Sequence, residues 1–149
     1  MVKRKKEIKD IPALLKDLES VSVFTRKTAI IDLAQRDAKE AVPDLIKVLK
    51  DKEATLRGVS AWALGELADK RASKHLVTCL KDMDVEVRRS ASQSLFRLMD
   101  PSTLAALKDA SVDSDKWVAE WAQKAVLAFG ADSPLRKAKK PKELLKLEA

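Results

Sequence analysis

The chain has 149 residues, of which 46% are hydrophobic, 36% charged and 4% aromatic, with three Gly, five Pro and one Cys. That length fits one domain with a real core, and Gly and Pro this sparse exclude a β-sandwich, a disordered chain or a collagen-like one. A single cysteine excludes an internal disulfide framework and points to a reducing, cytoplasmic compartment; no apolar run approaches bilayer length.

The formal net charge is +7. Residues 1–10 hold five basic and two acidic side chains, and residues 133–149 hold six and two, so residues 11–132 carry 19 of each. A neutral body with two basic tails is expected. Lys3, Arg4, Lys5 and Lys6 form a cluster of the nuclear-import type. Arg136, Lys137, Lys139 and Lys140 precede a short amphipathic turn, Lys142-Glu143-Leu144-Leu145-Lys146-Leu147. Solvated tails and nucleic-acid arms are both consistent with such runs. No apolar segment follows the basic start MVKRKKEIKD, so it does not read as a secretory signal.

In chain order, the first element after residues 1–10 is a short helix, IPALLKDL, with Pro12 suited to a first turn whose N–H has no partner to lose. A second helix is expected over 23–35. VPDLIKVL, again with an early proline at Pro43, begins the next pair, completed by a helix over 54–68. SKHLVTCL and a helix over 85–99 follow. Asp100-Pro101 offers an N-cap and a first-turn proline ahead of STLAALKDA, and a helix over 115–129 closes the series. The acidic connectors KDKEA and KDMDV lie just before second helices, where the helix dipole favours negative charge.

These elements repeat every 31 residues. Leu18, Leu49 and Leu80 keep that spacing, as do Leu14, Leu45, Leu76 and Leu107, and Leu33, Leu64, Leu95 and Val126. Leu56, Val87 and Val118 form a further row, and Ala29, Ser60, Ala91 and Ala122 a row of small residues where helices are expected to approach closely. Four units result, at about 11–41, 42–72, 73–103 and 104–134, with a tail over 135–149. No single pair can bury its apolar stripe alone, so stacking of pairs makes the core.

Leu56-Arg57 followed by Ser60 and Leu64, and Val87-Arg88 followed by Ala91 and Leu95, resemble the HEAT-repeat family in its short, phycocyanobilin-lyase-type form. The resemblance implies an all-α fold: a right-handed α-solenoid of four stacked helix pairs whose second helices line the concave surface. It further implies a structural ladder between repeats, in which Asp51, Asp82 and Asp113 meet Arg26, Arg57 and Arg88. Thr25 and Arg36 in the first unit, and Ser111 and Ala119 in the last, break the rows with residues suited to capping, so a complete array is expected.

Positions that recur every 31 residues are explained by packing, and those that do not recur are free for function. On the second helices these are Lys27, Gly58, Arg89 and Glu120, then Ile31, Trp62, Gln93 and Lys124, then Gln35, Glu66, Arg97 and Ala128. Trp62, Trp117 and Trp121 are all the tryptophans in the chain. Trp, Tyr and Arg dominate binding hot spots, so Trp62, Arg89, Gln93, Arg97, Trp117, Trp121 and Lys124 are the candidate partner-binding residues. Space-filling at the array end explains Trp121 better than binding does, the two readings are balanced at Trp62, and Phe96 and Phe129 read as core.

Catalytic constellations are scarce. His75 is the only histidine and Cys79 the only cysteine, which leaves no zinc or di-iron ligand set. The His-Glu pairs that the resemblance associates with the deoxyhypusine hydroxylase branch are absent, so no likeness to that branch is expected. Gly58, Gly65 and Gly130 are isolated and form no phosphate loop. The expectation is a non-catalytic scaffold or adaptor without cofactor, metal or membrane partner, binding a protein on its concave face, either as a free chain or as a subunit of a larger complex. The alternatives are nucleic-acid binding through the tails with the concave Arg and Trp residues, and, from the family alone, a bilin-lyase or chaperone role.

Overall fold

The computed structural model describes residues 9–130, and the basic clusters at 3–6 and 136–140 lie outside the described residues. Among the described residues there are eight α-helices and no strand: α1 (Ile11–Asp17), α2 (Val23–Gln35), α3 (Val42–Val48), α4 (Ala54–Leu67), α5 (Ser73–Cys79), α6 (Val85–Leu98), α7 (Leu104–Ala110) and α8 (Lys116–Ala128). Three 3₁₀ turns, Lys39–Ala41, Lys70–Ala72 and Pro101–Thr103, join one pair to the next. Asp100 caps the last of these turns through the Ser102 N–H, so Pro101 opens a 3₁₀ turn and α7 begins three residues after it.

The 31-residue rows are the core. Leu14, Leu45, Leu76 and Leu107 are buried, as are Leu33, Leu64 and Leu95 and the row Leu56, Val87 and Val118. Each such leucine taken from water contributes about 1.5–3 kcal/mol. The second helices stack directly, α2 on α4, α4 on α6 and α6 on α8, and each first helix packs mainly on the second helix of its own pair.

The small-residue row lies at a helix contact, within a unit where Ser60 shows its partner. Ala29, Ser60, Ala91 and Ala122 are all buried, and the Ser60 hydroxyl donates to the Leu45 carbonyl at 2.7 Å, which directs this row toward the first helix of the same unit. The close approach between units is instead at Gly65 of α4 and Ser94 of α6. A Cβ on Gly65 would lie 2.6 Å from the Ser94 Cβ and 2.9 Å from its Cα.

At the first unit the substitution pattern runs further than Thr25 and Arg36. Thr28 and Asp32 stand one period before Val59 and Ala63, so four successive apolar positions of α4 have polar counterparts on α2.

The connectors hold the pairs in phase. Asp51, Asp82 and Asp113 accept from the backbone N–H two residues on, at Glu53, Asp84 and Asp115, over 2.8–2.9 Å. Asp84 and Asp115 then cap α6 and α8, and Ser22 caps α2.

Candidate functional site

The Asp and Arg rows meet across the units. Arg57 Nε and Nη2 each donate to the Asp82 carboxylate at 2.9 Å, while Nη1 donates to the Asp51 carbonyl at 2.9 Å. Arg88 repeats this with Asp113, at 3.1 and 3.3 Å, and with the Asp82 carbonyl at 3.0 Å. Arg26 differs: Nη2 pairs with Asp51, but Nε turns to the Leu18 carbonyl at 2.9 Å. The series stops where Ser20 occupies the Asp row and Ala119 the Arg row. The bonds from Arg57 hold the Asp82 carboxyl below its ordinary range, against the opposing effect of burial. These residues join one repeat to the next and offer no reactive group.

A second set of ties crosses the exposed side of the second helices. Arg89 holds Asp115 through two bonds, at 3.0 and 2.6 Å, and reaches Glu86 at 2.6 Å. The guanidinium keeps the Asp115 carboxyl down at about 2, against burial, and the Val118 and Trp117 N–H groups help. Arg97, with a side chain 9% exposed, pairs with Glu66, and its Nε is buried without a hydrogen-bond partner. Two of the candidate binding residues are thus committed to neighbouring units, and their cationic groups face inward as much as out. Asp115 and Glu66 were the missing partners. Glu66 stands one full period before Arg97, and Asp115 lies 26 residues after Arg89, close to the 25 that separate Arg57 from Asp82.

The aromatic residues divide. Trp121 is half-buried against Phe96, with ring centroids 5.4 Å apart and planes tilted 49°, and Lys124 Nζ sits 4.6 Å from the Trp121 centroid. Such a cation–π contact holds both groups in place. Phe96 is fully buried. Trp62 is half-buried against the core, and Gln93 is half-buried one period later on α6. Trp117 is 54% exposed at the start of α8, where Asp115 accepts its backbone N–H. Phe24, one position into α2, is 79% exposed and went unnoticed in the sequence because a lone Phe at a helix start carries no periodic signal. Phe24 and Trp117 belong to one row, with Thr55 and Glu86 between them.

Catalytic groups do not assemble. Burial pushes the Cys79 thiol up to about 11, so the nucleophilic thiolate is scarce at neutral pH. Among the described residues no group of three His, Cys, Asp or Glu side chains could hold a metal ion, and no helix is long and apolar enough to cross a membrane.

A model of HEAT repeats matches residues 11–95 and 51–127. The chain belongs to the HEAT-repeat family. The helical scaffold is similar to the complex of CpcE and CpcF of phycocyanin lyase from Nostoc sp. PCC7120, with a TM-score of 0.76 and 26% identity over 88% of this chain and 57% of that one. It is also similar to human deoxyhypusine hydroxylase, with a TM-score of 0.69 and 27% identity over 83% and 44% of the two chains. This HEAT-repeat protein therefore spans 57% and 44% of the length of those relatives. An engineered protein shares the fold at 22% identity, with a TM-score of 0.61 over 79% and 61% of the chains. No curated protein matches the sequence. The likeness to deoxyhypusine hydroxylase corrects the separation expected from the missing His-Glu pairs: the scaffold is shared. A metal resting on such pairs does not fit the described residues, which hold one histidine.

Proposed function

We propose that the HEAT-repeat protein is a non-catalytic scaffold that binds a protein partner along the exposed side of its second helices, in a reducing compartment. The observation that carries this reading is Trp117. It is 54% exposed on a helix whose N-terminus is held by Asp115 and Arg89, so a large amphipathic side chain is presented from a rigid support. Trp62 and Gln93 extend the contact surface, and Phe24 lies in the same row as Trp117 at the other end. Arg89, Arg97, Trp121 and Lys124 serve chiefly to hold that face in shape. The similarity to a complex of two lyase subunits supports a protein partner as the class.

The test is co-purification of the tagged chain from its native extract at moderate salt, with and without nuclease, beside a Trp62→Ala/Trp117→Ala variant. The expected result is a stoichiometric protein that survives nuclease and is lost with the variant. Recovery of nucleic acid alone, or of proteins released by nuclease, overturns the reading and moves the interface to the basic tails.

A further inference from the structure

The first helices are held apart by the close stacking of the second helices, and two grooves open between them. One, between α1 and α3, has a volume of ≈ 680 Å³. Its charged lining residues are Lys16, Arg26 and Lys47 against Glu19, Asp44 and Asp51. Their charges sum to zero, and two pairs are direct: Arg26 with Asp51, and Lys47 with Asp44 at 2.8 Å. This groove carries no excess of either sign.

The other, between α3 and α5, has a volume of ≈ 500 Å³ and a different balance. Val42, Pro43 and Ile46 line it on one side, where Val42 is fully buried and the accessible apolar surface is that of Pro43 and Ile46, and Lys70, Lys74 and His75 line it from the other. Among the described residues neither Lys70 nor Lys74 has a carboxylate within ion-pair distance, and both are exposed. Arg71 also lines the groove but bends back to Asp69 at 2.7 Å. Asp100 is the one carboxylate in the lining: Ser102 donates to it with a backbone N–H at 3.0 Å and a hydroxyl at 2.8 Å, and the Lys70 charge favours its ionised form from beyond ion-pair distance, so one acidic group faces the cations of this groove. Neutrality over residues 11–132 thus conceals a local excess: many acidic residues are spent in the ladder and the caps, while α5 and the turn before it present lysines to water.

We infer that the groove between α3 and α5 is a docking site for an acidic peptide segment of a partner protein, one that carries apolar side chains between its carboxylates. Apolar side chains lie on Pro43 and Ile46, and the carboxylates meet Lys70 and Lys74. A nucleic-acid backbone would find the cations but has no use for the apolar surface of Pro43 and Ile46, and no Phe, Tyr or Trp ring lines the groove for a base to stack on. The groove is built from first helices and the turns beside them, whereas Trp62 and Trp117 stand on second helices, so it stands independently of the reading above.

His75 is the only histidine in the chain, so its ring resonance reports on this groove alone. The experiment is a proton NMR titration of the full chain with a synthetic peptide of alternating Glu and Leu. The same titration is run with the peptide's Lys-for-Glu counterpart and with a short DNA duplex. The expected result is a saturable shift of the His75 resonance with the acidic peptide only, and a rise in its titration midpoint in the complex, because the added carboxylates favour the imidazolium. Lys70→Glu/Lys74→Glu weakens binding at least roughly tenfold, whereas Lys16→Glu, in the self-neutralised groove, leaves it unchanged. Both variants alter exposed lysines, and far-UV circular dichroism checks that the helices persist. No His75 shift with the acidic peptide, equal binding by the double variant, or a stronger response to the duplex each overturns the proposal.

Discussion

Gly65 of α4 and Ser94 of α6 meet backbone to backbone, and the Ser94 hydroxyl donates to the Ala61 carbonyl at 2.8 Å across the same contact. The absence of a side chain at Gly65 is what lets the two central second helices come this close. A glycine inside a helix costs about 1 kcal/mol relative to alanine, so the contact has to return more than that.

Gly65→Ala therefore destabilises the fold, despite the gain in helix propensity. Overpacking costs typically about 1–3 kcal/mol, and the expected net loss is about 1 kcal/mol by urea denaturation. Adding Ser94→Ala does not rescue it, because the Ser94 Cβ and Cα, at 2.6 and 2.9 Å, remain in the way. A variant as stable as the parent would show that α4 and α6 can part freely.

The rungs of the ladder are unequal. Arg57→Ala leaves Asp82 without its two-point partner in a site where the side chains are 18% and 13% exposed. Arg26 makes a single contact with Asp51, whose other oxygen is held by the Glu53 N–H. Losing Arg57 is expected to cost about 2 kcal/mol and losing Arg26 roughly half as much. Double-mutant cycles with Asp82→Ala and Asp51→Ala measure the difference. A larger coupling at Arg26 would contradict the geometry.

Ala68 ends α4 with φ 52°, in the left-handed region where an L-residue is disfavoured by about 1–2 kcal/mol. Asp37 and Met99 occupy the corresponding place after α2 and α6. Ala68→Gly removes this strain at a half-buried methyl and is expected to stabilise the protein by about 0.5–1 kcal/mol. An unchanged or lower melting temperature would refute this.

Acid weakens the fold through the same carboxylates. Arg57 lowers the pKa of Asp82 and Arg89 lowers that of Asp115, to about 2, both against burial, from an ordinary value of 3.8. A carboxyl with a depressed native pKa is protonated first in the unfolded chain, so stability rises with pH across the window. The contribution is complete above the unfolded value and is lost as pH falls from about 4 toward about 2. Melting temperatures should be level in this respect near neutrality and fall below that window. Arg57→Ala should show a shallower fall, since Asp82 then returns toward 3.8.

By itself the sequence determined the helix pairs, their 31-residue phase and most of the core. Each of these depends on local periodicity, and a leucine such as Leu64 that recurs one period on at Leu95 has to be buried in both units or neither. The Asp–Arg spacing was legible for the same reason, since Asp51, Asp82 and Asp113 stand in equivalent connectors. Tertiary structure alone decided what the non-recurring residues do. Arg89 and Arg97 read as free cations until the neighbouring helices brought Asp115 and Glu66 against them. Gly65 looked incidental until Ser94 was placed on it, and the lysines of α5 were lost in a neutral sum until folding drew so many of the acids into caps and rungs. Periodicity reports which face of a helix is buried; which charge meets which depends on the distance between helices, and that is set by the side chains of both.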